Sequence, residues 1–138
     1  MSRNPQAQSK LDELKTPGEA AMRILYVEDN PSSVRTMEAV ADRLKDELWV
    51  ATTLAEGLAA ARRSPDLIVL DLQLPDGDGL TLAKQLRAEG SQIPIVVYTT
   101  STLQSDRQRC LEAGCNEYLV KPYSINHMCA CLNRWLGR

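Results

Sequence analysis

The unbroken aliphatic run Leu67-Ile68-Val69-Leu70, followed at once by Asp71, is the feature that most constrains the fold. A strand with one face in water alternates apolar and polar residues, whereas a parallel strand covered on both faces is continuously apolar. A turn-rich segment, 73–79, ends the run. The pattern therefore predicts a buried parallel strand with a carboxylate at its carboxyl end, the edge where open α/β sheets bind their ligands.

Strand and helix signals alternate five times from residue 22 onwards. Asn30 can cap the first helix, and Pro31 suits its first turn. Five strand-helix units predict a five-stranded parallel sheet between two layers of helices, with right-handed crossovers. The strands are predicted near residues 24–27, 48–52, 67–70, 93–98 and 117–120, and the last three helices near 79–89, 103–113 and 125–136.

Length and charge limit the classes of function open to this chain. Its 138 residues suffice for one folded domain, and its net charge of -2 offers no basic surface for a nucleic-acid backbone. No apolar stretch approaches the ~20 residues of a membrane span, and the first residues lack the apolar centre of a signal peptide. We therefore expect a cytoplasmic protein without direct contact to nucleic acid or membrane. The polar segment 1–21 is predicted to be a flexible extension, and 22–138 the domain.

Four cysteines raise the questions of a disulfide framework and of a metal site. Cys129 and Cys131 are two residues apart, which on a helix turns them to roughly opposite faces. The single histidine, His127, could share a face with Cys131, but a zinc site needs about four ligands. We expect reduced thiols that pack as small hydrophobic groups, and the same applies to Cys110 and Cys115.

In a parallel sheet every strand delivers its last residue to the same edge, so that residues distant in sequence meet there. The predicted strand ends carry three carboxylates, hydroxyl groups and an ammonium group, from Glu28, Asp29, Asp71, Thr99 and Lys121. Three close carboxylates repel one another and either bind a proton or recruit a cation. Oxygen ligands select a hard ion, and Mg²⁺ suits a site that leaves coordination positions open.

The same residues suit phosphoryl transfer, whose transition state spreads negative charge over three oxygen atoms. A carboxylate can be the nucleophile, and Asp71 is the candidate. Mg²⁺ held by Asp29 and Asp71 would neutralise charge, Lys121 would pair with one phosphoryl oxygen, and Thr99 would donate a hydrogen bond to another. Two further acids in the loop after Asp71 are better explained as cap or turn residues, namely Asp76 and Asp78.

Four motifs in order resemble those of the receiver domain of two-component response regulators, over residues 23 to about 136. They are the acidic pair in Leu25-Tyr26-Val27-Glu28-Asp29-Asn30, the segment 71–79 with Asp71 as phosphoacceptor, the strand 94–99, and the segment 117–123 around Lys121-Pro122. The resemblance implies a flavodoxin-like, doubly wound (βα)5 fold with strand order 2-1-3-4-5.

The resemblance also implies what the site does. Asp71 would accept a phosphoryl group from a sensor histidine kinase or a histidine phosphotransfer protein. Glu28, Asp29, Asp71 and the backbone carbonyl of Gln73 would surround Mg²⁺, Lys121 would bind the phosphoryl group, and the Lys121-Pro122 bond would be cis. Such a domain is not an enzyme in the ordinary sense, although it assists its own phosphorylation and dephosphorylation.

In this family Thr99 and Tyr118 would form a switch pair. The surface of the fourth helix, fifth strand and fifth helix would then signal to a downstream protein, and a homodimer stays open. Two positions depart from the usual pattern, since Thr100 stands where alanine is usual and Tyr123 where phenylalanine is usual. Gln73 and Ser101 occupy positions that tune the lifetime of the phosphoryl group in the family.

Other functions fit parts of the same pattern. The first is a receiver-like adaptor that works without phosphorylation, against which the complete set of acidic, threonine and lysine residues argues. The second is a receiver module excised from a hybrid histidine kinase. A phosphohydrolase with an aspartyl nucleophile would carry a second aspartate where this chain has Gln73, and a flavodoxin would need a hydroxyl-rich loop after the first strand. We expect no DNA-binding output domain after the fifth helix.

Overall fold

The computed structural model describes residues 20–138, so that most of the predicted extension, 1–21, lies outside the described residues. The strands are β1 Arg23–Val27, β2 Glu47–Ala51, β3 Leu67–Leu70, β4 Gln73–Leu74, β5 Gly77–Asp78, β6 Ile95–Thr99 and β7 Glu117–Val120. The helices are α1 Pro31–Leu44, α2 Leu54–Ala61, α3 Leu80–Ala88, α4 Gln104–Glu112 and α5 Ile125–Trp135.

Five parallel strands form the main sheet in the order β2-β1-β3-β6-β7. Because β4 and β5 form a separate two-stranded unit, this is the predicted order 2-1-3-4-5. All four residues of β3 are completely buried, as their unbroken aliphatic character predicted. The flavodoxin-like α/β fold is confirmed.

Each face of the sheet has its own hydrophobic core, because successive strand residues point to opposite sides. Leu25 and Ile68 lie in the core shared with α2, α3 and α4, whereas Tyr26 and Val69 lie in the core shared with α1 and α5. Because both faces are covered, the residues that reach solvent near the carboxyl ends of the strands are those that follow them, such as Asp29 and Gln73. This arrangement directs the chemistry of the domain to one edge.

Helix α1 begins as the sequence predicts. The side chain of Asn30 accepts hydrogen bonds from the backbone N–H groups of Ser32, at 2.9 Å, and Ser33, at 3.2 Å, and Pro31 is the first helical residue. These bonds satisfy N–H groups that have no partner within the helix. Across residues 20–138, no helix combines the length and the apolar character that crossing a bilayer requires.

The sequence did not predict the hairpin β4–β5, which follows Asp71. Its strands have two residues each and are too short to show alternation. Gly79 closes this loop, and a Cβ atom there would lie 2.1 Å from the carbonyl oxygen of Asp71. The Gly79 N–H group donates to the Leu72 carbonyl at 2.8 Å, so a side chain at this position would displace the backbone beside Asp71.

The loop acids act as caps, as expected. Asp76 accepts hydrogen bonds from the N–H groups of Leu54, at 2.6 Å, and Ala55, at 3.1 Å, and so holds the hairpin against the start of α2. These bonds, the Leu54 N–H first, hold the pKa of Asp76 below its usual value. Asp78 accepts from the N–H group of Leu80 at 2.9 Å and so stabilises the turn that leads into α3.

All four cysteines are free and buried, as the prediction of small packing groups required. Burial raises the pKa of the Cys110 thiol to about 11 and that of Cys115 to about 12. Both thiols lie in the core between the sheet and α4. Their thiolate forms are therefore disfavoured in the folded state.

We expect the free energy of unfolding to fall as the pH rises above about 9. Unfolded thiols titrate near 9.0, below the folded values, so that the unfolded state loses its protons first. Each thiol that remains protonated only in the folded state contributes a slope of up to about 1.4 kcal/mol per pH unit. Urea unfolding across this pH range measures the slope. The Cys110→Ala/Cys115→Ala variant should show a flatter dependence, and an unchanged dependence would contradict the prediction.

Candidate functional site

The pairing register of the parallel sheet places the carboxyl ends of the strands side by side. Val27 pairs with Leu70, and Thr99 pairs with Val120. Backbone hydrogen bonds extend this alignment by one residue, from Asp71 N–H to Val27 at 3.1 Å and from Lys121 N–H to Thr99 at 2.7 Å. The first residue after each of these strands therefore lies at a common edge.

Lys121 lies between two carboxyl groups at this edge. Its ammonium nitrogen is 3.3 Å from Asp71 Oδ2 and donates a hydrogen bond to Glu28 Oε1. It also lies 3.4 Å from Ser33 Oγ and 5.6 Å from the centre of the Tyr98 ring. The Lys121 side chain is 14% exposed and that of Glu28 is 1% exposed, so this ion pair is largely shielded from water.

Glu28 is saturated with hydrogen bonds. Its Oε1 atom accepts from the Tyr26 hydroxyl at 3.1 Å in addition to Lys121, and Oε2 accepts from the backbone N–H groups of the next two residues. Burial raises the pKa of Glu28, Lys121 opposes this effect, and Asp71 adds to it. Burial and the neighbouring Glu28 raise the pKa of Tyr26 far above its usual value. Tyr26 is therefore a neutral donor to Glu28.

The charge on Lys121 is maintained despite burial. Burial by itself disfavours the ammonium form, but Glu28 and Asp71 outweigh it, and the pKa of Lys121 is raised. The site consequently presents a permanent positive charge at neutral pH. This charge lies where a phosphoryl group on Asp71 would need compensation.

The carboxylate of Asp71 is largely buried but still reaches solvent. Its side chain is 12% exposed, and Oδ1 lies 3.4 Å from the backbone nitrogen of Gln73. Asp29, which follows Glu28, and Gln73, two residues after Asp71, are both exposed. A carboxylate that is held by Lys121 on one side and still reaches solvent can react with a group that arrives from outside.

The donor set at this edge suits a hard cation. Carboxylate oxygens from Asp29 and Asp71 and the carbonyl of Gln73 are the ligands that Mg²⁺ prefers, whereas both oxygens of Glu28 already accept hydrogen bonds. Within residues 20–138, no three Asp, Glu, His or Cys side chains are grouped as a ready-made metal site. The ammonium group of Lys121 lies between Glu28 and Asp71. The oxygen donors of Asp29, Asp71 and Gln73 therefore fit the chemistry of such an ion.

Thr99 and Tyr118 are brought together through Ser101. Thr99 is 1% exposed, and its hydroxyl lies 3.5 Å from the backbone nitrogen of Ser101. The Tyr118 hydroxyl donates to the Ser101 carbonyl at 2.9 Å. The buried Tyr118 ring lies inward in this structure, with the guanidinium carbon of Arg107 5.1 Å from its centre. The Lys121-Pro122 bond is cis.

Sequence analysis missed two side chains of the site. Tyr26 lies within the acidic motif without a role of its own, and Ser33 follows the predicted helix cap without a predicted role. The alternation of β1 was the available signal for Tyr26, since it places residue 26 on the same face of the sheet as Glu28. Neither position carries a motif that would identify its partner.

A family model and curated proteins of known name match this chain. The model of the response regulator receiver domain matches residues 24–133. The KDP operon transcriptional regulatory protein KdpE of Escherichia coli is 39% identical over 116 residues, which cover 83% of this chain and 51% of that protein. The probable transcriptional regulatory protein TcrX of Mycobacterium tuberculosis is 38% identical over 119 residues, covering 83% and 50%. The chain spans about half the length of these curated relatives.

Solved structures agree with the fold. The receiver domain of sensor histidine kinase PA1611 from Pseudomonas aeruginosa is 35% identical with a TM-score of 0.78, and the match covers 86% of this chain and all of that one, 100%. That structure contains a magnesium ion coordinated in its active-site cleft. A CheY-like receiver domain from Methanospirillum hungatei has a TM-score of 0.80 at 23% identity, covering 86% and 95% of the two chains.

This chain belongs to the response regulator receiver domain family. It is a receiver domain of the two-component signalling type, a phosphoacceptor signalling domain.

Proposed function

We propose that Asp71 accepts a phosphoryl group from a phosphohistidine on a sensor histidine kinase or a histidine phosphotransfer protein. The observation that carries this proposal is the geometry of Asp71, whose partly exposed carboxylate lies 3.3 Å from the Lys121 ammonium group. A structural ion pair alone would not explain why the acid stands at the open edge of the sheet. Family membership supports the same role.

In this proposal each residue has a distinct task. An Asp71 oxygen forms a bond to phosphorus while the bond from phosphorus to the histidine nitrogen breaks, and the leaving imidazole is the free product. Lys121 pairs with one phosphoryl oxygen, and Thr99 donates its hydroxyl hydrogen to another. The buried Glu28 holds Lys121 in place through their hydrogen bond.

Mg²⁺ is the proposed cofactor, and when bound it neutralises charge on the phosphoryl oxygens. Asp29, Asp71 and the Gln73 carbonyl would hold the ion. Glu28, which the resemblance placed around the metal, would act at longer range, because both of its oxygens accept hydrogen bonds. The magnesium ion in the receiver domain from Pseudomonas aeruginosa supports the choice of ion.

We propose that the signal leaves through protein contacts on the surface of α4, β7 and α5. Leu103, at the start of α4, is 62% exposed, and Leu111 within α4 is 51% exposed, which suits binding to an apolar partner surface. A downstream protein or a second copy of this chain would bind there when Thr99 and Tyr118 respond to the phosphoryl group. A cytoplasmic location is part of the proposal, since the phosphodonor proteins present their phosphohistidine there.

Removal of the divalent ion should prevent phosphorylation. We expect the wild-type protein to gain about 80 Da, one phosphoryl group, after incubation with acetyl phosphate and Mg²⁺. Because Mg²⁺ offsets the repulsion between the carboxylates and the phosphoryl oxygens, an excess of EDTA should abolish the gain. Intact-protein mass spectrometry measures both. Absence of the gain with Mg²⁺ present would contradict the proposal and favour the adaptor that works without phosphorylation.

A further inference from the structure

We propose that Arg109 is a positioning residue that clasps α4 to the hairpin after Asp71 and thereby slows loss of the phosphoryl group. The inference rests on the proposed function of Asp71. Arg109 is a half-exposed residue of α4 that forms two ion pairs and lines a cavity together with Thr99.

Arg109 bridges two elements that are distant in sequence. Its NH2 group lies 2.5 Å from Asp78 Oδ2 in the hairpin, and its NH1 group lies 3.1 Å from Asp106 Oδ1 in its own helix. Asp78 is anchored in turn, because its Oδ1 atom accepts the Leu80 N–H at 2.9 Å. The guanidinium group therefore connects the hairpin that follows the phosphoacceptor to α4.

The connection continues from Asp106 to the switch residues. Asp106 Oδ2 accepts a hydrogen bond from the Ser101 hydroxyl at 2.6 Å. The carbonyl of the same Ser101 accepts from the Tyr118 hydroxyl, and its N–H faces Thr99 Oγ1. Arg109 thus stabilises the arrangement in which the Ser101 loop lies against both switch residues.

The residues of this connection line an open cavity of about 380 Å³. Asp78, Asp106 and Arg109 line it together with Thr99, Ser101 and Gln73. The volume has room for several water molecules, at about 30 Å³ each. Loss of the clasp would release the Ser101 loop and widen the approach of water to the phosphoryl group from the Thr99 side.

Hydrolysis is the step that this access controls. A water oxygen bonds to phosphorus while the bond from phosphorus to the Asp71 oxygen breaks, which releases inorganic phosphate and restores the carboxylate. The proton of the attacking water passes to solvent or to phosphate. A closed clasp lengthens the lifetime of phosphorylated Asp71, and it does so without contact between Arg109 and the phosphoryl group.

The solvent exposure of the Arg109–Asp78 ion pair limits its expected effect on the rate of dephosphorylation. The Arg109 side chain is 48% exposed and that of Asp78 is 41% exposed, so water and salt screen the pair. Exposed pairs of this kind shift an equilibrium by about 1.4-fold to fivefold. We therefore expect Arg109→Gln to raise the first-order rate constant for dephosphorylation about two- to fivefold.

Four variants and one control test the clasp, the first variant being Arg109→Gln. Asp78→Asn keeps an acceptor for the Leu80 N–H and removes only the charge, so it should match Arg109→Gln, and the double variant should be no faster than either. Arg109→Lys should restore part of the wild-type lifetime. Arg62→Gln is the control, because Arg62 pairs with Glu89 and takes no part in this connection.

The readout is the decay of the phosphorylated species by intact-protein mass spectrometry after the acetyl phosphate has been removed. Addition of about 1 M NaCl should raise the wild-type rate towards that of the variants and leave the variants unchanged. Equal rates in wild type and Arg109→Gln, or additive effects in the double variant, would overturn the clasp alone. Failure of the wild-type protein to gain any phosphoryl group would overturn the proposed function and the clasp with it.

Discussion

Replacement of Asp71 by asparagine is expected to abolish phosphorylation. After incubation with acetyl phosphate and Mg²⁺, the Asp71→Asn protein should stay at its unmodified mass while the wild type gains about 80 Da. An amide oxygen is too weak a nucleophile to displace the donor, and the loss of one negative charge also weakens binding of a cation. Intact-protein mass spectrometry decides the result directly.

A matched control separates this effect from a general loss of an aspartate. Asp66 is exposed and accepts the Arg23 N–H at 2.7 Å, near the opposite edge of the sheet. Asp66→Asn should gain the phosphoryl group as the wild type does. A mass gain in Asp71→Asn would show that another residue accepts the group, and the role proposed for Asp71 would be wrong.

Replacement of Lys121 by methionine is expected to impair both stability and phosphoryl transfer. The variant leaves the carboxyl group of Glu28, 1% exposed, without its ammonium partner. Breaking a buried ion pair in this way costs about 3–5 kcal/mol in the free energy of unfolding. Loss of the positive charge that compensates the phosphoryl oxygens should slow phosphorylation about 100-fold.

The stability defect should depend on pH in a defined direction. Without Lys121, the pKa of Glu28 rises further above its ordinary value, since the one group that opposes the shift is gone. A carboxyl group whose folded pKa is raised contributes stability below its unfolded pKa and loses it as the pH rises through the folded pKa. The defect should therefore be smaller at about pH 5 than at about pH 8.

Urea unfolding of Lys121→Met at both pH values tests this account. Lys84→Met, an exposed lysine of α3, is the control and should unfold like the wild type. A Glu28→Gln change added to Lys121→Met should recover part of the lost stability by removing the uncompensated charge. A Lys121→Met protein with wild-type stability at neutral pH would show that the ion pair contributes nothing to folding.

Local sequence patterns predicted much of the secondary structure. The aliphatic run before Asp71 predicted a buried parallel strand, and Asn30-Pro31 predicted the start of α1. Strand limits were off by one or two residues, since β2 runs from Glu47 to Ala51 and β6 begins after Pro94. The hydrophobic pattern does not fix these limits, because a proline or a partly buried residue at a strand end fits the pattern whether or not it pairs in the sheet.

Other features depend on contacts between distant segments. Lys121 and Glu28 are 93 residues apart, and no local pattern specifies that their side chains meet. Glu28 also accepts hydrogen bonds from Tyr26 and two backbone N–H groups, partners that only the folded structure shows. Arg109 carries no motif of the site, and only its position opposite Asp78 connects it to the site.

The sequence by itself determined the layered α/β architecture, the edge of the sheet where polar groups gather, and the identity of Asp71 as the candidate acceptor. These follow from hydrophobic periodicity and strand direction, which are properties of contiguous residues. The tertiary structure determined which carboxylate oxygens accept hydrogen bonds, where the Lys121 charge lies, and which ion pairs connect α4 to the hairpin. Those depend on side-chain packing and strand register across long separations, which a one-dimensional pattern does not encode.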